Sequence, residues 1–214
     1  MHLDNILQEY WKRHKNHSFG MCYTNHDLKK FYINIPKNAT NWGKAAMRDL
    51  GWVKANYHRD KLIKQGYGAI VILRDPLDRW FSGWAEYTSR YGVRMDPKYI
   101  NQTVMKLITD RVAFDEHTEE QCMFLDGINT ETTTWFKFGP ELNQNFADYC
   151  RRVLGIENKL EDLLPMYTSQ GRKEKIQSLM VEYLSEDDYK RLNLFYEVDW
   201  DLYNNVKYYK RNKI

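Results

Sequence analysis

The sequence predicts an α/β domain: a central, mainly parallel sheet of about four or five strands, helices on both faces and a helical C-terminal part. Three observations predict it. The run Ala69-Ile70-Val71-Ile72-Leu73 is apolar throughout, as a strand buried on both faces of a parallel sheet requires. Strand-like and helix-like segments alternate through the first part of the chain, the pattern of parallel crossover units. The last third carries helical patterning alone.

The elements follow in chain order. Phe31-Tyr32-Ile33-Asn34-Ile35 is short, rich in β-formers and stopped by Pro36, which predicts the first clear strand. A helix is expected from about Thr40 to Leu50: Trp42, Ala45, Ala46, Met47 and Leu50 share one side, and Gly51 can end it. After the 69–73 strand, Asp75 as N-cap and Pro76 at the first helical position open another helix. Leu77, Trp80, Phe81 and Trp84 form its buried stripe. Further helix is expected over 97–112 and around 119–125. Thr133 to Phe138 reads as a strand closed by Gly139-Pro140, followed by a helix from Asn143 to Leu154 with Gly155 as its stop. Helices over 172–184 and 186–196 complete the chain.

With 214 residues the chain is expected to be a single domain over 1–214, residues 1–30 being an extension of uncertain structure. The 32 Lys+Arg against 29 Asp+Glu leave a net charge of +3, too little to suggest bulk nucleic-acid binding. No apolar run approaches the roughly 20 residues of a membrane-spanning helix. The first 20 residues lack a signal-peptide pattern, so a cytoplasmic chain without membrane attachment is expected. Cys22, Cys122 and Cys150 are scattered and odd in number, so they read as reduced and structural. No Cys/His spacing suggests a metal, and none is expected. The aromatic content of 15% suits either core packing or a site that stacks on flat ligands.

Two strand-to-helix junctions carry candidate chemistry. In Pro36-Lys37-Asn38-Ala39-Thr40-Asn41-Trp42 a strand ends, a polar loop holds one lysine and a helix begins. Helix-start N–H groups with an adjacent ammonium make an anion site. The same residues read equally as a capped helix with a surface lysine. The motif GxxxxGK[ST] is absent, so ATP hydrolysis is not indicated. In the second junction Arg74 sits at the tip of the buried strand, where a cation needs an anionic partner. Ser82 lies about one and a half turns into the next helix, so a phosphate fits between the two. The alternative pairs Arg74 with Asp75 or Asp78 and leaves Ser82 as packing.

Together, IPKNATNW and LRDPLDRWFSGW resemble the two nucleotide motifs of the PAPS-dependent sulfotransferases, PAPS being 3′-phosphoadenosine 5′-phosphosulfate. The first is similar to the 5′-phosphosulfate loop, roughly PKSGTTW in the family's cytosolic form. The second is similar to the 3′-phosphate motif, in which Arg and Ser stand eight positions apart, as Arg74 and Ser82 do. Ala39 departs from the family's Gly; if that position needs positive φ, Ala costs about a kcal/mol there. Trp135 to Leu142, and Phe195-Tyr196-Glu197-Val198-Asp199-Trp200-Asp201-Leu202-Tyr203, resemble the carbohydrate branch. The tail is similar to that branch's Y-x-x-D-[YF]-x-L-[FY] pattern. The resemblance covers about residues 31–206, densely only at the two nucleotide motifs.

The resemblance implies a P-loop-like three-layer fold and transfer of a sulfuryl group from PAPS to a hydroxyl, with carbohydrates or other small molecules as acceptors. The by-product would be 3′-phosphoadenosine 5′-phosphate, with no metal involved. It implies that Lys37 stabilises developing charge and that Asn38, Ala39, Thr40 and Asn41 hold the 5′-phosphosulfate. Trp42 is implied to stack on adenine, with core packing as its other reading. Arg74 and Ser82 are implied to bind the 3′-phosphate. Arg79 either assists or forms a helix-surface pair with Asp75 or Asp78. A base must take the acceptor proton, and histidine suits neutral pH. His58, in a Y-H context, and His117, in an H-x-x-x-Q segment, are the candidates; Glu116 or Glu119 are carboxylate alternatives. Arg172 and Lys173 match the family's late basic segment only weakly and read better as a solvated helix start. A small-molecule kinase or a non-catalytic nucleotide-binding protein on the same scaffold are the alternative functions.

Overall fold

The computed structural model describes residues 3–13, 21–55, 59–91, 96, 98–99, 102, 104–106, 116–158, 160 and 172–211. Within them five strands make one sheet in the order β3-β1-β2-β4-β5. They are β1 (Met21–Asn25), β2 (Lys30–Asn34), β3 (Val53–Lys54), β4 (Gly68–Leu73) and β5 (Thr134–Lys137). The strands predicted from sequence, β2, β4 and β5, pair in parallel. β1 pairs antiparallel with both β2 and β3. The sheet is therefore mixed: a parallel part of three strands, extended on one edge by two that the sequence did not indicate.

The helices are α1 (Leu3–Arg13), α2 (Thr40–Asp49), α3 (Arg59–Lys64), α4 (Pro76–Tyr91), α5 (Leu142–Arg152), α6 (Arg172–Tyr183), α7 (Glu186–Phe195) and α8 (Glu197–Asn205). The segment predicted as helix around 119–125 is a 3₁₀ turn over Gln121–Leu125. Of the helix predicted over 97–112, residues 98–99, 102 and 104–106 are helical and the others lie outside the described residues. Local signals explain most boundaries. The Asp75 carboxylate accepts the Asp78 N–H at 3.0 Å, capping α4 beside Pro76. Ser185 and Asp188 form a reciprocal capping box on α7. Gly51, just past α2, has φ 71°, a conformation glycine adopts at no steric cost.

The period-two alternation of strands distributes the core to both faces. Phe31, Ile33, Ala69, Val71, Leu73 and Trp135 face one side, against Leu7, Tyr10 and Trp11 of α1, Leu62 of α3 and Leu202 of α8. Tyr32, Ile70, Ile72 and Phe136 face the other, against Trp42, Ala46 and Met47 of α2 and Phe146 and Ala147 of α5. Gly43 of α2 packs on the Tyr32 side chain of β2, whose hydroxyl a Cβ there would overlap. A third cluster joins α4 to α6 and α7, with Trp80 and Trp84 stacked at 6.2 Å between ring centres. Residues 3–13 and 21–25 thus supply a core helix and a sheet strand, where the sequence left an extension of uncertain structure. Among the described residues no helix is long and apolar enough to cross a membrane.

The parallel strands point their carboxyl ends the same way. The loops after β2 and β4 and the segment after β5 converge there, where ligands bind in such sheets.

Candidate functional site

Geometry at the end of β2 is set by backbone conformation. Lys37 has φ 66° and Ala39 φ 67°, ψ 31°, both left-handed. Each costs about 1–2 kcal/mol in a residue with a Cβ, strain that concentrates at functional sites. Ala39 therefore does occupy a positive-φ position and carries the cost expected for it. Asn38 between them lies outside the left-handed region. The Asn38 N–H donates to Ile35 O at 3.1 Å. The Lys37 N–H donates to Thr40 Oγ1 at 3.1 Å, and that hydroxyl donates to Ile35 O at 3.3 Å. The first N–H bonded into α2 is that of Gly43, to Ala39 O at 2.8 Å. The N–H groups of Thr40, Asn41 and Trp42 have no acceptor among the described residues, as at any helix start.

Lys37 is 21% exposed, and its Nζ lies 3.6 Å from Glu86 Oε2 on α4. Burial pulls its ammonium below the ordinary lysine pKa; the Glu86 carboxylate partly offsets this, and the Arg74 guanidinium adds to the lowering. The unfolded chain binds the proton more tightly, so the cost of burying this charge is relieved, and stability rises, as pH passes from the lowered value toward 10.5.

Arg74, 5% exposed, closes the second junction onto the first. Its Nη1 donates to Lys37 O at 2.9 Å, its Nε to Asp78 Oδ2 at 2.6 Å, and its guanidinium lies 4.5 Å over the Phe138 ring beyond β5. The pairing with Asp78 is one of the partners the sequence offered. Ser82 is buried on α4, on the face it shares with Arg79, Gly83 and Glu86. A Cβ at Gly83 would overlap the His117 carbonyl, so the 116–118 turn sits directly against this face. His58 lies outside the described residues, and so do the side chains of Arg172 and Lys173.

Three readings of the loop residues change. The Asn38 side chain is fully buried and turns inward, donating to Ile72 O at 2.9 Å and to Gln121 Oε1. The Thr40 hydroxyl is spent closing the loop. Trp42 is 4% exposed and meets Phe146 edge-on at 5.3 Å; a ring so enclosed has no face for adenine and serves the core. Exposed Asn41 and the loop N–H groups are what remain to meet an anion.

Arg79 is the largest departure from expectation. Neither a surface pair nor an anion ligand, it is wholly buried. Its Nε donates to Pro36 O at 3.0 Å, its Nη1 to Glu119 O and its Nη2 to Glu116 O at 3.2 Å. It thereby ties the lysine loop to the His117 turn. Burial lowers its pKa, against the opposing influence of Tyr196 and Asp199.

That turn and the 3₁₀ segment after it are gripped from three more directions. Gln121 accepts the Arg74 N–H at 3.0 Å and donates to Arg74 O at 2.9 Å. Asp199 accepts the N–H groups of Gln121 at 2.7 Å and Cys122 at 2.9 Å, and the Tyr196 hydroxyl donates to Thr118 O. Burial raises the Asp199 pKa, and those N–H bonds together with Arg79 oppose the rise. The sequence held a signal for these residues: Gln121 ends the H-x-x-x-Q segment, and Tyr196 and Asp199 are the Y and D of the tail pattern. Glu86 carried no such signal.

No family model, curated protein or solved structure matches the chain. Among the described residues no group of three or more His, Cys, Asp or Glu side chains could hold a metal ion. The arrangement is a strained loop leading into a helix start, with one half-buried lysine, next to an arginine at the neighbouring strand end. It can hold an anion and stabilise charge that develops beside Lys37.

Proposed function

We propose that the chain is a sulfotransferase on a P-loop-like scaffold, moving a sulfuryl group from PAPS to an acceptor hydroxyl, on a carbohydrate above other acceptors. The observation that carries this reading is the interlock of the two junctions, in which Arg74 donates to the Lys37 carbonyl at adjacent strand ends. Two motifs 37 residues apart are thereby brought together at neighbouring strand ends, as a ligand with phosphate groups at both ends needs.

The residues present fit the phosphate-bearing ends of such a donor. Lys37 and the N–H groups of Ala39 to Trp42 would hold the 5′-phosphosulfate. Arg74 and Ser82, both buried beside the loop, would hold the 3′-phosphate once the Arg74–Asp78 pair opens to it. The donor supplies the sulfuryl group and leaves as 3′-phosphoadenosine 5′-phosphate. Lys37 places a full charge where the leaving oxygens gain theirs, and the fixed N–H dipoles need no reorganisation. The acceptor proton needs a base, for which the sequence offered His58 and His117; of these, the structure describes His117, on the turn against α4.

Calorimetry with 3′-phosphoadenosine 5′-phosphate against ATP tests the reading. The bisphosphate is expected to bind and ATP, which lacks the 3′-phosphate, to bind far more weakly; the reverse order would exclude it. Because Lys37 must be protonated to hold an anion and its pKa is lowered, bisphosphate affinity is expected to fall on the alkaline side. The fall should begin below the pH at which an ordinary lysine, pKa about 10.4, loses its charge. Titrations from neutral pH upward should show that limb in the wild-type chain and not in Lys37→Ala.

A further inference from the structure

We infer that Glu86 is the general base for the acceptor hydroxyl, a role that rests on the sulfuryl-transfer reading above. Glu86 stands on the α4 face that also carries Arg79, Ser82 and Gly83, at i, i+3, i+4 and i+7. Arg79 anchors the lysine loop from that face and Gly83 receives the His117 turn, so Glu86 stands one turn further along, beside the lysine loop. Its carboxylate is 3.6 Å from Lys37 Nζ and 39% exposed. A base in this reaction has to satisfy two conditions. It must be open to the acceptor hydroxyl, which comes from solvent, and it must stand near the group being transferred, which Lys37 faces. Glu86 meets both. Asp78, the other carboxylate of α4 near the loop, is held by Arg74 at 2.6 Å. What singles out Glu86 is its contact with the Lys37 ammonium itself.

In the step itself, the Glu86 carboxylate takes the proton of the acceptor hydroxyl as the acceptor oxygen forms its bond to sulfur. The bond between sulfur and the bridging oxygen of the phosphosulfate breaks, and its electron pair stays on that oxygen beside Lys37. The protonated Glu86 then loses its proton to water. Charge is conserved: one negative charge moves from the carboxylate to the leaving phosphate. A carboxylate is a weak base for an alcohol, so its help is needed only as the proton becomes acidic during bond formation.

That dependence gives the test. Glu86→Gln is compared with wild type on two kinds of acceptor and in bisphosphate binding. One acceptor kind is a panel of methyl hexosides, whose hydroxyls must lose a proton. The other is 4-nitrophenol, already largely ionised at mildly alkaline pH. Transfer to the hexosides is expected to fall about 100-fold or more. Transfer to the nitrophenolate should change little, and bisphosphate affinity by calorimetry should hold or rise, because Lys37 loses a competing carboxylate. Equal loss on both acceptors, or no loss on either, would overturn the base assignment. So would a wild-type chain that binds bisphosphate yet transfers to no alcohol. A wild-type chain that neither binds the bisphosphate nor transfers to any acceptor would instead bring down the sulfotransferase reading, and this inference with it.

Discussion

Lys37→Ala is expected to lower sulfuryl transfer by about 100- to 1,000-fold, the usual loss when one preorganised stabiliser of developing charge is removed. The variant should fold as the wild type does. What Lys37 gives the loop is backbone: its N–H to Thr40 and its carbonyl to Arg74. Alanine keeps both, and at φ 66° it bears the strain that lysine bears. Only the ammonium and its pairing with Glu86 are lost, and a partly exposed pair of this kind is worth at most about 1 kcal/mol. Initial rates with labelled donor, beside a thermal melt, check both halves. Turnover within about threefold of wild type, under ~0.7 kcal/mol of barrier, would remove Lys37 from the chemistry.

The second large effect falls on stability. Arg79→Ala is expected to cost on the order of 4 kcal/mol. The guanidinium serves the carbonyls of Pro36, Glu116 and Glu119 in a closed interior. Its removal leaves them without a donor and opens a void where a large side chain stood. Arg79→Lys should fall between, since one ammonium cannot reproduce a planar fork reaching two segments. Urea unfolding followed by circular dichroism gives the measurement. A midpoint for Arg79→Ala equal to that of wild type would mean that the clamp is dispensable. Arg79→Lys should also weaken bisphosphate binding, because the Pro36 carbonyl fixes the residue before Lys37.

How far the sequence reaches can be judged residue by residue. β4 and α2 were legible because each signal is local: an unbroken apolar run for one, a three- and four-residue stripe ending at glycine for the other. β1 was not, because its inward residues are Cys22 and Thr24. That alternation is weak in hydrophobicity and gains meaning only from pairing with β2. The lysine loop and the Arg74–Ser82 spacing were visible as patterns, and their strand-end placement followed from them. Their side-chain directions did not. Asn38 turns inward because Ile72 O and Gln121 wait there, 34 and 83 residues along the chain. Arg79 had two acidic neighbours in sequence and uses neither; its acceptors are carbonyls 37 to 43 residues away. Trp42 was open to two roles, and the approach of Phe146 from α5 decides it for the core. Interactions of such separation have no short-range signature.

The turn that carries His117, and the 3₁₀ segment after it, are held from both ends of the chain. Tyr10 donates to Glu120 at 2.7 Å and Trp11 to Cys122 O at 2.9 Å, while Asp199 and Tyr196 hold the other side. These contacts join residues 110 and 111 positions apart on one side and 77 and 78 on the other. During synthesis, α1, the sheet strands and the Arg79 helix all emerge well before residue 199. A nascent chain can pair β2 with β4 and still lack the carboxylate that fixes Gln121, and through Gln121 both sides of the Arg74 backbone. Support of the lysine loop is thus completed late in biogenesis: a ribosome-stalled chain ending short of Asp199 should carry the loop yet hold it loosely. Contacts of this span also favour slow closure of the last part of the fold over fast local assembly.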